Sequence, residues 1–505
     1  MDRYTAEYFS SLLNKIASQK KFSHEYLLVP EAALLDDRIM KGKPFRGYNK
    51  ENALFLLHLI TSVELENPWL QDDDGWVPLM STRIEEVIPH NHAKIFRMLE
   101  DFGWVEINRT YISTDYADAL SEKNKATGDG GDVKAISMRY RIAPAWKDSP
   151  LTPVRVKRQH IWLFRLHTGT EGMNLEDLIQ NHEYGFLAKW LSQLSIDIEG
   201  VSRHLAELYS SADGGHLTIG IPRRMRLHAV CELVSGRIRF SQDDFGHRIH
   251  SNITSLPRDL RPFLRLNGAT LANIDLKNSQ PMLLAALLRG NIRKTPLEFL
   301  SEVGIEAGSK EYETFLKTIR LLQRIDTEES DIRTYCDLVR EGRFYEDFIE
   351  RLRSWNPHDP NASEYENVIN RLKKLTKYKT MDRDQVKREV MVTLFSSNRH
   401  IGYKPDADMK NRFREFFPDV YSVIRKLKEG EKNRLARFLQ RSESMVVLAH
   451  TCKRLHELDP EIPLLTIHDS ISTTKEHAEI VKQVLLEEVE KFVGFEPTVS
   501  IDDWH

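Results

Sequence analysis

The segment Leu271-Ala-Asn-Ile-Asp-Leu-Lys-Asn-Ser-Gln-Pro-Met-Leu-Leu-Ala constrains this 505-residue chain more than any other stretch. Ala272–Ile274 is an apolar run with strand character, and it ends at Asp275. Ser279-Gln-Pro281 then turns into an apolar helix, Met282–Leu288. Pro281 suits the first helical turn, where its missing N–H costs nothing. A carboxylate at the end of a strand stands where it can bind a metal at a cleft. It can equally be a turn residue or a helix cap.

Two later segments have the same mixture of order and charge. Arg383-Asp-Gln-Val-Lys-Arg-Glu-Val-Met-Val-Thr-Leu-Phe395 reads as one helix. Arg383, Lys387, Met391 and Phe395 are four residues apart and share a face. Two cations at one end and an apolar and an aromatic residue at the other fit a nucleoside triphosphate, phosphates first. The plainer reading is an amphipathic helix with its aromatic in a core. Leu464-Leu-Thr-Ile-His-Asp-Ser-Ile-Ser-Thr-Thr474 reads as a hairpin with Asp469 at or near its tip, where Asp is usually only a turn residue. A helix, Lys475–Phe492, and a short strand, Pro497–Ile501, follow.

The order strand-Asp, Arg-x3-Lys-x7-aromatic on a helix, then His-Asp at a hairpin resembles motifs A, B and C of the family A DNA polymerases and the bacteriophage-type single-subunit RNA polymerases. Gly246-His-Arg-Ile-His-Ser-Asn, followed by Leu256-Pro257, is similar to the Gly-Arg-x-x-Ser stretch that precedes motif A. Phe438-Leu-Gln-Arg-Ser-Glu-Ser444, followed by the apolar helix Met445–Leu455, is similar to the Gln-containing helix before motif C. The resemblance covers about residues 240–505.

The resemblance implies an α+β, mostly helical fold with a right-hand palm and fingers. Asp275 and Asp469 would hold two Mg²⁺ ions, with Mn²⁺ as a substitute. Arg383, Lys387, Met391 and Phe395 would bind the nucleotide. Arg248 would meet the primer–template minor groove, Gln440 the nascent base pair, and His468 the primer terminus. The partners implied are template, primer or nascent strand, and nucleoside triphosphates.

The product is less plainly written. Lys387-Arg-x-Val-Met391 and His468-Asp-Ser470 look like the RNA enzymes, and Met282 falls where the DNA enzymes carry a Glu that crowds the sugar's 2′-hydroxyl. Gln440 and the terminal Ile501-Asp-Asp-Trp-His505 look like the DNA enzymes. Phe395 replaces a motif B Tyr, Ser396 replaces a Gly, and two extra residues separate Asp275 from Ser279-Gln280. The balance falls on RNA or primer synthesis on a DNA template. A DNA polymerase without proofreading is one alternative. A catalytically silent palm in a DNA-binding replication or defence protein is another. Asp197-Ile-Glu199 has the bare Asp-x-Glu pattern of an exonuclease but lies fewer than ~100 residues before Asp275, about one small domain. It reads as a surface pair.

Four regions are expected: a helical region over 1–75, a winged-helix-like domain over 76–145, a helical thumb-like or linker region over 146–235, and palm and fingers over 236–505. In the second, Ser81–Val87 and His92–Phe102 read as helices. Trp104–Ile107, Tyr111–Ser113 and Ser137–Ile142 read as strands around a polar, Gly-rich stretch, Ser121–Lys134. That arrangement serves DNA or protein contact. Pro144–Pro153, with three prolines, reads as a linker.

The bulk properties exclude little. Net charge is −3, so a nucleic-acid partner would depend on local clusters such as Arg371–Arg388 and Arg223, Arg224 and Arg226. No apolar run approaches the ~18 residues that span a bilayer. The N-terminus lacks a signal-peptide pattern, so a cytoplasmic monomer without membrane contact is expected. Cys231, Cys336 and Cys452 lack metal-ligand spacing and read as buried free thiols.

Overall fold

In the computed structural model the Asp275 segment forms the strand Leu271–Leu276, and the Ser279–Leu288 helix follows it with every residue buried. The structure describes residues 5–18, 24–66, 76–79, 84–85, 88–110, 138–147, 149, 151–157, 175–210, 217–236, 238–289, 296–322, 330–355, 377–398 and 405–504. The described chain is mostly helical α+β. It divides into two units, one of Met1–Asn174, Leu194–Ser241 and Ser255–Asn267, the other of Leu175–Gln193, Gln242–Thr254 and Gly268–His505.

The first unit has a core around the helix Lys50–Glu66, where Ala53, Leu54, Phe55, Leu56, Leu57, Leu59 and Ile60 are all buried. A helix apolar on every side has to sit in the middle of its unit. Ala6–Ala17 buries Phe9, Leu13 and Ile16, and Thr5 caps its start by accepting from the Tyr8 N–H. The N-terminal region is not wholly helical. His24–Pro30 is a strand, paired antiparallel with Leu151–Lys157. The linker expected at Pro144–Pro153 is therefore a 3₁₀ turn, Pro144–Trp146, leading into that ladder. A two-stranded ladder is all edge, so it accepts Pro153 without losing a central sheet bond.

His92–Asp101 buries Ile95, Phe96, Met98 and Leu99, and Gly103, at φ 76°, follows its end. A three-stranded antiparallel sheet packs nearby, with Arg139–Ile142 between Val77–Pro78 and Val105–Asn108. Phe96 stacks on Tyr140 with centroids 4.2 Å apart. Tyr111–Ser113, Ser121–Lys134 and most of Ser81–Val87 lie outside the described residues. Asp197 caps the helix Ile198–Ser210, accepting from the Gly200 N–H at 3.0 Å, and it pairs with Arg265.

The second unit is built on a four-stranded antiparallel sheet in the order Leu465–Ile467, Ser470–Thr474, Leu271–Leu276, Val499–Asp503. Its register pairs Asp275 with Ser470 on one side and Ser500 on the other. The helix Ala478–Val493 packs on this sheet through Val481, Leu485 and Val489, and Gly494, at φ 82°, ends it in the left-handed form that glycine favours. The Ser279–Leu288 helix packs between Asp331–Arg340 and Arg434–Ser444. Tyr335 donates to the Pro281 carbonyl at 3.2 Å there.

Arg383–Phe395 is one helix with the bounds its sequence gives, opened by a capping box in which Asp382 and Gln385 satisfy each other's backbone N–H groups. Met445–Cys452, expected as α-helix, has π geometry between the α-helices Arg434–Ser444 and Lys453–Leu458. All three cysteines are free and buried, and burial pushes the Cys231 thiol up to about 12. Among the described residues no helix is long and apolar enough to cross a membrane.

Candidate active site

The two aspartates sit on neighbouring strand ends. Asp275 lies near the end of its strand, opposite Ser470, and the Leu276 N–H points at the Asp469 carbonyl at 3.4 Å. Both are half-buried. Leu465–Ile467 and Ser470–Thr474 form a hairpin whose two-residue tip is His468-Asp469. His468 has φ 54°, a left-handed backbone at the first tip position, where glycine is the usual occupant.

One hydroxyl ties Asp469 to the helices. Ser279 Oγ lies 2.7 Å from Asp469 Oδ2 and 3.0 Å from Glu443 Oε2. Glu443 is fully buried, and the same carboxylate is ion-paired with Arg248 and accepts from the Gln280 amide. Burial, and then the charge of Asp469, pushes Glu443 up to about 7, while Arg248 and Gln280 pull it back. The Arg248 backbone N–H donates to Asp243 at 3.1 Å, and the short strand Ile249–Ser251 lies beside the hairpin. Arg248 is thus held against the acids with one-fifth of its side chain exposed. Burial, reinforced by the Arg248 charge, holds His468 down to about 4, so it is neutral at physiological pH.

Gln440 is half-buried on the same helix as Glu443, against Gly246; a Cβ on that glycine would lie 2.6 Å from Gln440 Oε1. The side chain that joins Arg248 to the acids is Glu443, one turn further on. Sequence reasoning passed over it.

On the Arg383 helix, Val386, Val390, Thr393 and Leu394 form the buried face. Arg383 and Lys387 are exposed and Met391 and Phe395 half-buried, so the four-residue stripe lies away from the core rather than in it. Arg383 pairs with Glu346 at 2.8 Å and its guanidinium lies 5.2 Å from the centre of the Tyr345 ring. Tyr345 is buried, its hydroxyl has no partner among the described residues, and burial pushes its pKa up. Its pKa also feels the charges of Arg383 and Asp469. Tyr345 is a second residue missed in the sequence, where it looks like any core aromatic. Of the basic run Arg371–Arg388, residues 371–376 lie outside the described residues, and Lys377, Lys379 and Arg388 are exposed.

The donor set suits a hard divalent cation. Among the described residues no group of three or more His, Cys, Asp or Glu converges on a metal position. A pair of carboxylates, with water and substrate phosphates completing the shell, is how Mg²⁺ commonly binds in phosphoryl-transfer sites.

No protein-family model matches the chain, and no curated protein does. Among solved structures, the POL domain of Pol1 from M. smegmatis in complex with DNA primer–template and dNTP is similar at 13% identity and a TM-score of 0.24, over 99% of this chain and 67% of that one. A likeness of that size defines neither fold nor function, and the residues have to carry both.

Proposed function

We propose that this chain is a template-directed nucleotidyltransferase that makes RNA or primers on a DNA template. The observation that supports the reading is the pair Asp275 and Asp469 on adjoining strand ends, with Asp469 tied to Arg248 through Ser279 and Glu443. Asp275 and Asp469 would hold two Mg²⁺ ions, with Mn²⁺ as a substitute; when bound, these supply activation of a primer 3′-hydroxyl and neutralise charge on pyrophosphate.

The chain's own groups do the rest. Arg383 and Lys387 grip the triphosphate and offset its charge in the transition state. Tyr345, buried under Arg383, backs that guanidinium with its ring. Met391 and Phe395 take the base. Arg248 and Gln440 face the minor groove of the new duplex. His468, uncharged, orients the primer end. The helix-and-sheet region around His92–Asp101 is a second nucleic-acid or protein contact.

The test is primer extension on a short DNA template with Mg²⁺, with NTPs and with dNTPs, for wild type and Asp469→Asn. Extension by wild type that is lost at least about 10³-fold in the variant supports the reading. Absence of extension with either nucleotide set overturns it in favour of a silent palm. Extension with dNTPs alone makes it a DNA polymerase.

A further inference from the structure

Asn278 stands between Asp275 and the Ser279 that bonds Asp469. Its backbone is left-handed, with φ 55° and ψ 37°, and it precedes the Ser279–Leu288 helix without capping it by its side chain. The residue is only 5% exposed. Neither Oδ1 nor Nδ2 has a hydrogen-bond partner among the described residues. Two residues on, Gln280 gives its amide N–H to Glu443, and its Oε1 is likewise unpaired. His468 Nδ1, next to Asp469 in sequence, is a fourth atom unpaired among the described residues.

Buried amides left unsatisfied are rare, because each costs roughly 1–3 kcal/mol. Two such side chains flank Ser279, which bonds Asp469, and other side chains among the described residues do not supply their partner. Its chemistry can be read from what is missing. Asn278 Oδ1 and Gln280 Oε1 are acceptors and need donors. Phosphate oxygens bring none. A cation would take the oxygens and leave the Nδ2 donors unmet. A hydroxyl both donates and accepts, and so answers both ends of one amide.

We infer that Asn278, with Gln280 beside it, forms a subsite for a ribose hydroxyl, borne by the incoming nucleotide or by the 3′ end of an RNA primer. The inference rests on the polymerase reading and sharpens it, since deoxyribose lacks the 2′-hydroxyl. Sites built to bond a hydroxyl reject the analogue without it, because their own polar groups then stay unpaired.

The test is binding without chemistry, on the full chain, with Ca²⁺ in place of Mg²⁺. Calorimetry compares ATP with dATP in one arm. The other compares template–primer duplexes whose primers end in a ribonucleotide or a deoxyribonucleotide. Asn278→Gly removes the amide and keeps the left-handed backbone, which glycine adopts freely; its melting temperature should equal or exceed that of wild type. Wild type should prefer the ribose ligand by about tenfold in at least one arm. The variant should bring that preference below about twofold, with affinity for the deoxy ligand unchanged. The arm that responds names the source of the hydroxyl. No ribose preference in either arm, or one that survives in Asn278→Gly, overturns the inference. So does Asn278→Asp if it keeps the preference and tightens Ca²⁺ binding, since Asn278 would then be a metal ligand. A preference that depends on Asn278 in a protein that extends no primer leaves the subsite standing and removes only the polymerase reading.

Discussion

Asp469 and Glu443 share one hydroxyl: Ser279 Oγ lies 2.7 Å from Asp469 Oδ2 and 3.0 Å from Glu443 Oε2. A serine has one proton, so it donates to one carboxylate at a time. Glu443 meanwhile holds Arg248 and the Gln280 amide. Two separate segments therefore lean on one buried carboxylate of a third.

Replacing that carboxylate should divide by chemistry. Glu443→Ala strands Arg248 and two polar partners in the interior, and should lower stability by about 3–5 kcal/mol. Glu443→Gln keeps an acceptor for Ser279 and should cost far less, about 1 kcal/mol. Urea unfolding of the two variants checks the order. Equal losses would mean that the network contributes only packing.

Lys428 should make stability depend on pH. It is 4% exposed and donates to the Thr393 and Ser396 carbonyls at 2.8 and 3.0 Å, where the Arg383 helix ends. Burial, and then the Lys410 charge, lowers its pKa to about 7 from 10.5. The folded value is the depressed one, so the stability this group contributes is complete above 10.5 and is lost as pH falls through 7. Wild type should weaken from about pH 10 to 7, on the order of 4 kcal/mol, and then level off. Lys428→Met should flatten that slope in denaturant titrations at each pH; an unchanged slope would assign it to other groups.

Local signals made much of this unit legible. The Arg383 helix matches its sequence reading because Asp382 and Gln385 cap it and no proline or glycine interrupts it. The Asp275 strand and the His468-Asp469 hairpin also fall where alternation and apolar runs put them. Glu443 did not show. Its burial depends on Arg248, Ser279 and Gln280, which lie 195, 164 and 163 residues away in sequence, and no local pattern encodes those contacts. The pairing of His24–Pro30 with Leu151–Lys157 was hidden for the same reason, and three prolines gave its second strand the look of a linker. The placement of Arg383 beside Tyr345 was equally invisible, since a helix face shows which residues align but not what they meet.

His468 should show a trade of stability for function. A left-handed backbone costs a non-glycine residue roughly 1–2 kcal/mol. Its φ is 54°, and its Nδ1 is buried without a hydrogen-bond partner among the described residues. His468→Gly should therefore raise stability by about 1 kcal/mol while reducing primer extension. Thermal unfolding and extension assays on the same preparation read both. A variant that is stabilised and fully active would reduce His468 to a turn residue.

Arg383 should exchange partners when nucleotide binds. Its present partner, Glu346, is half exposed, and an exposed pair of this kind is weak enough to be displaced. A triphosphate carries more charge than a carboxylate and can accept from the guanidinium through two oxygens. Glu346→Gln removes the competitor and should tighten nucleoside triphosphate binding about two- to fivefold at low salt. Arg383→Met should weaken it about tenfold or more. Both effects should shrink as salt rises, because the groups are exposed and screened. Calorimetric titrations with Ca²⁺ at two ionic strengths check the set. If Glu346→Gln weakens binding instead, Glu346 is holding Arg383 in place for the phosphates, and the pair is a support rather than a competitor.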